Sequence, residues 1–246
     1  MLWKNDVINM KYKSNNLEEL QYEVLFVSPS TEPTIPPLSL YHYTSHDSKS
    51  KIVNEETGSV NFRHTKASDF QDKNEGTHIL EPYLHACGFL YDQKIIDQNF
   101  YHILKNIKAS DIVSGIDDIW ILCLTAEGYS RHMKERYAPN DGWLIELHKL
   151  SFDDLIFCFN TVNCQNHIRL VEVQYSYQIM KEQLEEVIKK LFDCFMKDDT
   201  LTKKAKQSMV IKIIKSYLSQ CAFCYKSDFY KKRKRNTVSY SYEHPV

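Results

Sequence analysis

Glycine is scarce, with 6 among 246 residues, and none falls in a GxxxxGKS/T or GxGxxG pattern. Those designs need glycine where backbone turns tightly against a phosphate, so a nucleotide cradle of either kind is excluded. Charge of one sign is also lacking: 31 basic residues stand against 32 acidic ones, a net charge of −1. Without the five consecutive basic residues at 231–235 the balance becomes −6, which leaves the body of the protein no basic face for a nucleic-acid backbone. No apolar run approaches the ~18 residues of a membrane span. The opening MLWKNDVINMKYK holds no uninterrupted apolar signal segment, so the expected compartment is the cytoplasm, with no membrane partner. Cysteine is present, at positions 87, 123, 158, 164, 194, 221 and 224, but not as an even disulfide framework. Thiols within apolar runs such as WILCL and IFCF read as buried and reduced.

The remainder is an ordinary globular balance, 43% hydrophobic and 26% charged, with 16 tyrosines. LEELQYEVLFV reads as a short helix running into a strand. Four of the seven prolines fall in SPSTEPTIPPLS, an extended arm. LSLYHYTS, SVNFRHTKASDF, DDIWILCLTAE, WLIELHKL, LIFCFN and IRLVEVQYSY read as strands. A helix is expected through THILEPYLHACGFLYDQ, loosened by Pro82, and further helix over 93–110. SRHMKERYAPNDG reads as a helical turn closed by Pro139 and an Asn-Asp-Gly turn. Two long helices follow. One carries Ile179, Leu184, Val187, Ile188, Leu191, Phe192 and Phe195 at helical spacing; the other carries Met209, Val210, Ile213, Ile214, Tyr217 and Cys221. Strands mixed with helices, without βαβ alternation, predict an α+β fold: a mixed or antiparallel central sheet, flanking helices and two long C-terminal helices. The expected organisation is an N-terminal extension with its Pro-rich arm (1–38), a single α+β domain (39–235) and an irregular tail (236–246).

Several groups carry chemistry, and each has a plain packing reading beside it. In Tyr41-His42-Tyr43-Thr44, His can hold a ribose hydroxyl and Tyr can stack on a planar ring; a half-buried strand explains them equally. Asp69, Asp72 and Glu75 suit acid–base work or a cation, but match no EF-hand or zinc spacing, and a turn with Ser68 and Asp69 as caps also accounts for them. Cys221-x-x-Cys224 lacks a second pair and sits in an apolar stripe, which favours core packing. His78, His85 and His132 do not form a metal pattern. Among Arg131, Lys134, Glu135, Arg136 and Tyr137, an Arg could clamp phosphate and Tyr137 could stack on a base; Arg131–Glu135 also fits a surface i,i+4 ion pair.

In order and spacing these segments resemble the bacterial family known as domain of unknown function 2971, over about residues 39–235. LYHYTS matches its first strand. TKASDFQDKNE keeps Phe70, Asp72 and Glu75 of a segment that reads roughly FNDPxE, with Gln71 and Lys73 in place of Asn and Pro. MKERYAPNDG keeps Met133, Tyr137, Ala138 and Gly142, with Lys134 where the family has Trp, and Val173 and Tyr175 close a later strand. The first strand also resembles the YHxT strand of NAD-using ADP-ribosyltransferases. That likeness implies nicotinamide departure through an oxocarbenium-like state. His42, Tyr43, Thr44 and Arg136 would hold the nucleotide, and Tyr137 and Glu75 would serve the reaction. It implies no cofactor beyond NAD as substrate, and no metal.

The family closes on K…WxxExExR. Here Lys226 and Tyr230 fill the first places, but Arg233 and Arg235 stand where the acidic pair belongs. Lys-Lys-Arg-Lys-Arg can be encoded by an adenine-rich run, and removing one adenine returns Glu-Lys-Glu at 233–235 and permits Arg at 237. A one-base insertion is one account of this segment; a genuine basic tail is the other. The resemblance thus implies an ADP-ribosyltransferase or NAD glycohydrolase of a toxin or phage-defence kind, inactive as written if the acidic pair is essential. The alternative is a non-catalytic sensing or interaction module with a protein partner. Nucleic-acid binding would rest on the basic run alone.

Overall fold

The computed structural model describes residues 14–26, 39–62, 65–69, 76–113, 119–126, 128–148, 166–226 and 237–243. In chain order the elements are α1 (Leu17–Phe26), β1 (Ser39–Thr44), α2 (His46–Ile52), β2 (Val53–Asn54), β3 (Ser59–Val60) and β4 (Thr65–Lys66), followed by a 3₁₀ turn at Ala67–Asp69. Then come α3 (Leu80–Asp92), α4 (Gln98–Leu104), α5 (Ala109–Val113), β5 (Ile119–Leu124), α6 (Arg131–Tyr137) and β6 (Trp143–His148). The last four are β7 (Asn166–Glu172), α7 (Tyr177–Lys197), α8 (Lys203–Cys221) and β8 (Thr237–Glu243). The fold is α+β, with antiparallel sheets and two long helices late in the chain.

The chain divides into two compact units. The first comprises Met1–Glu32, Asp72–Ile116 and Gln174–Asp228, and its described elements are all helices. α7 and α8 form because apolar residues recur at three- and four-residue spacing and hydroxyls cap their starts: Ser176 accepts from the Ile179 amide and Thr202 from the Ala205 amide. Leu184, Ile188 and Leu191 on α7, and Val210, Ile213, Ile214 and Leu218 on α8, have no exposed surface. Phe100 of α4 is likewise fully buried, with its ring 5.0 Å from Phe192 and 5.2 Å from Phe195. Each such side chain contributes roughly 1.5–3 kcal/mol through burial.

Three expectations change in this unit. Pro82 does not loosen α3: it occupies the first turn, where its missing N–H has no helical partner to lose. Residues 93–110 form two short helices, α4 and α5, because Asp97 accepts from the Phe100 amide and starts a new helix. The N-terminal helix is core and not extension: Leu17 and Leu20 of α1 are fully buried, and the buried Asp198 carboxylate accepts from the Leu17 amide at 3.2 Å.

The second unit comprises Pro33–Gln71, Asp117–Val173 and Phe229–Val246, and it holds all the strands among the described residues. β1 pairs antiparallel with β6 over its whole length, Ser39 opposite His148 through Thr44 opposite Trp143. β2 and β3 form a small hairpin. A four-stranded antiparallel sheet runs β4-β5-β8-β7. Residues 237–243 are therefore not irregular. They pair with Ile119–Leu124 on one side and Asn166–Glu172 on the other. Val238, Tyr240 and Tyr242 alternate with polar residues, the period of a strand. The expected strand LIFCFN, the basic run 231–235, Asp72, Glu75 and the Pro-rich arm over 28–38 lie outside the described residues.

Candidate functional site

Within the second unit, β1 and β5 meet at one backbone bridge. The Tyr41 amide donates to the Thr125 carbonyl at 2.8 Å, and the Thr125 amide donates to the Tyr41 carbonyl at 2.9 Å. No further ladder joins these two strands. The Cys123 carbonyl instead meets the ring of His42, whose Nδ1 lies 3.1 Å away. A carbonyl only accepts, so Nδ1 carries the proton and Nε2 keeps its lone pair. Burial holds the His42 imidazole below the ordinary histidine range, partly offset by that carbonyl. The side chain is therefore a neutral acceptor at Nε2, which has no partner among the described residues. Phe62 stands edge-on to the ring at 5.5 Å.

This split opens a cleft of about 180 Å³. Its walls are Tyr41, His42 and Tyr43 of β1, Thr65 of β4, residues 121–125, and Met133 and Tyr137 of α6. That volume is below the ~300 Å³ of a small drug site, so it suits one ring and its substituents, with the rest of a larger ligand outside.

Local sequence explains how the walls are held. Ser130 caps α6 by accepting from the Met133 amide at 3.4 Å, and its own amide donates to the Tyr43 hydroxyl at 2.8 Å. Tyr43, Met133 and Ala138 form a small core, with Tyr137 and Leu144 packed against it. Gly142 ends the turn after α6, where a Cβ would stand 2.4 Å from the Ala138 Cα, closer than any side chain fits. At Gly128 a Cβ would fall 2.7 Å from the Tyr41 ring, so a side chain there would push the phenol aside.

The expected site residues separate here. His42, Tyr43 and Tyr137 come together on the cleft. Tyr43 packs, and its hydroxyl is engaged by Ser130. Thr44, two residues beyond His42, is buried and does not line the cleft. Arg136 is exposed, its guanidinium 5.5 Å from the centre of the Tyr137 ring. Arg131 pairs with Glu135 at 2.7 Å on the surface, as the i,i+4 spacing suggests. Glu75 lies outside the described residues. Among the described residues no cluster of His, Cys, Asp or Glu is arranged to hold a metal ion. Cys221 and Cys224 are fully buried and form no disulfide, with burial raising the Cys221 thiol well above its usual range. No helix among the described residues is long and apolar enough to cross a membrane.

One residue was not singled out by the sequence. Glu146 of β6 lies directly across from Tyr41 and accepts from its hydroxyl at 3.1 Å. Hydrogen bonds from Ser39 first, then Tyr41, hold this carboxyl below its ordinary range. The signal was its place in the strand WLIELH, one polar residue among apolar neighbours, but strand pairing was needed to set it opposite Tyr41. No family model, no curated protein and no solved structure matches the chain.

Proposed function

We propose that the chain is an NAD-binding protein of ADP-ribosyltransferase-like chemistry, a toxin or phage-defence component of the kind found in the domain of unknown function 2971 family. The observation that carries this reading is the convergence of His42 and Tyr137, drawn from two separate motifs, on one cleft at a split strand pair. A neutral imidazole with its Nε2 lone pair available accepts a ribose hydroxyl. Tyr137 offers a ring to the nicotinamide. The cleft takes the nicotinamide end, and the adenosine end lies outside. Turnover further requires a carboxylate near the reacting ribose to stabilise the oxocarbenium-like state. Glu75, or an acidic pair restored at 233 and 235, would supply it.

The test is nicotinamide release from NAD by the chain as given and by Arg233→Glu/Arg235→Glu, each with and without His42→Ala. Release by the double variant that disappears with His42→Ala is the expected result. The absence of both nicotinamide release and NAD binding in all of them would overturn the reading. Support would then pass to a non-catalytic sensing or interaction module, which the exposed Tyr129 and Trp143 of the same unit favour.

A further inference from the structure

β8 stands inside the four-stranded sheet, with β5 on one side and β7 on the other. Those two neighbours pair with β8 and not with each other. Thr237–Glu243 runs antiparallel to Asn166–Glu172, and Thr237–Tyr242 runs antiparallel to Ile119–Leu124. Without β8, β5 and β7 each keep an open edge on the same gap. Such edges are rows of unpaired N–H and C=O groups that an added strand can fill. β4, β5 and β7 belong to Pro33–Gln71 and Asp117–Val173, whereas β8 follows only after the helical stretch Gln174–Asp228. One part of the chain therefore makes the gap and a later part fills it. Backbone bonds and the alternation of Val238, Tyr240 and Tyr242 set the register, and every copy of the chain carries the same alternation. Exchange of an identical strand makes the same bonds in a dimer as in a monomer, which makes it a low-cost route to association.

We propose that the gap between β5 and β7 is a strand-binding site whose partner is a second copy of this chain, the β8 of each copy entering the sheet of the other. β5 also walls the cleft, and its Cys123 carbonyl meets the His42 ring. In the exchanged dimer each cleft is braced by a strand of the other copy. This assembly is independent of what the cleft binds.

A disulfide reports the exchange. Thr125 turns its amide and carbonyl toward Tyr41 of β1, so Cys123, two residues earlier, faces that same edge. Cys123 and Val238 are therefore directly opposite as a non-hydrogen-bonded pair. The Cα atoms of such a pair stand about 4.5 Å apart, within disulfide reach. Cys123 forms no disulfide of its own. The full chain carrying Cys123→Ser/Val238→Cys is co-expressed with the unaltered full chain under a different tag. The mixture is oxidised with diamide and run on a non-reducing gel, with circular dichroism confirming that each chain is folded. The altered chain cannot close the bond on itself. A covalent heterodimer is expected, and it should be lost when the partner chain carries Cys123→Ser. Val238→Cys in an otherwise unaltered chain is the control, and should close its bond to Cys123 both within and between chains. No heterodimer while that control closes its bond within one chain would overturn the proposal. So would a heterodimer that persists with the Cys123→Ser partner. Failure of the control to form any bond to Cys123 would also overturn it, because β8 would then not lie beside β5.

Discussion

The helical unit and the strand unit are built to different rules. In the first, α4, α7 and α8 bury large apolar residues completely, and polar groups serve as caps and staples. In the second, the cores are small: Leu40, Leu122 and Leu124 in one, Tyr43, Met133 and Ala138 in the other. There, strands that could have paired further stop at one bridge, and a histidine ring takes the place of a backbone donor. Leaving a sheet unfinished forgoes backbone hydrogen bonds of about 1 kcal/mol each. In return it opens a walled gap lined by the His42 ring. The lesson is that deep apolar packing and the cleft are divided between the two units, and the cleft sits where regular structure is broken.

Substitutions can break or sharpen that contrast. The largest effect belongs to Phe100→Ala, which empties the centre of the helical unit; it should cost about 3–5 kcal/mol in urea unfolding while leaving the cleft's chemistry unaltered in whatever fraction remains folded. Gly142→Ala comes next. Its Cβ would collide with the backbone of Ala138, which cannot yield as a side-chain tip can. A loss of about 1–3 kcal/mol is expected, accompanied by weaker ligand binding because α6 carries two walls of the cleft. Loss of stability with binding untouched would show that the turn does not position α6.

Asp198→Asn probes the staple on α1. The Thr200 hydroxyl, then the Leu17 amide, hold this carboxyl below its ordinary value. A lowered folded-state value means its contribution is fully present above the unfolded value, about 3.9, and is lost as pH falls through the lower folded one. The variant should be less stable by about 1–2 kcal/mol at neutral pH, and the gap should close in acid. A gap that widens in acid contradicts the assignment. Smallest, and opposite in sign, is Gly88→Ala in α3. Nothing stands within 4 Å of the new Cβ, so the helix should gain about 0.4–1 kcal/mol, read as a rise in thermal midpoint.

The two units also differ in how far they could be read from sequence. The stripes of α7 and α8 were legible because burial there follows helical spacing, as at Leu184, Val187, Ile188 and Leu191. Ile179 was an exception: it is 44% exposed, and Met180, one position on, takes the buried place at the start of the helix. β1, β5 and β6 were legible as apolar runs. β8 was not, because a strand of alternating Tyr and Ser directly after a basic run reads as tail until partners on both sides are known. His42 and Tyr137 were picked out by residue type. What sequence could not supply was pairing: it does not say that β1 and β5 part after one bridge, that the Tyr43 hydroxyl is taken by Ser130, or that Glu146 stands opposite Tyr41.

The central claim is that the split between β1 and β5 is a ligand site whose acceptor is the neutral His42. Isothermal titration of NAD into the chain as given and into a folded His42→Ala variant, each at about pH 8 and about pH 5, tests it most directly. Burial keeps His42 neutral down to a value below the usual ~6.5, and protonation at Nε2 removes the acceptor. Binding should therefore persist as the pH falls through the usual ~6.5 and weaken only once it passes the lower folded-state value of His42. In His42→Ala it should be weak at both. Binding by His42→Ala as tight as that of the unaltered chain would contradict the account.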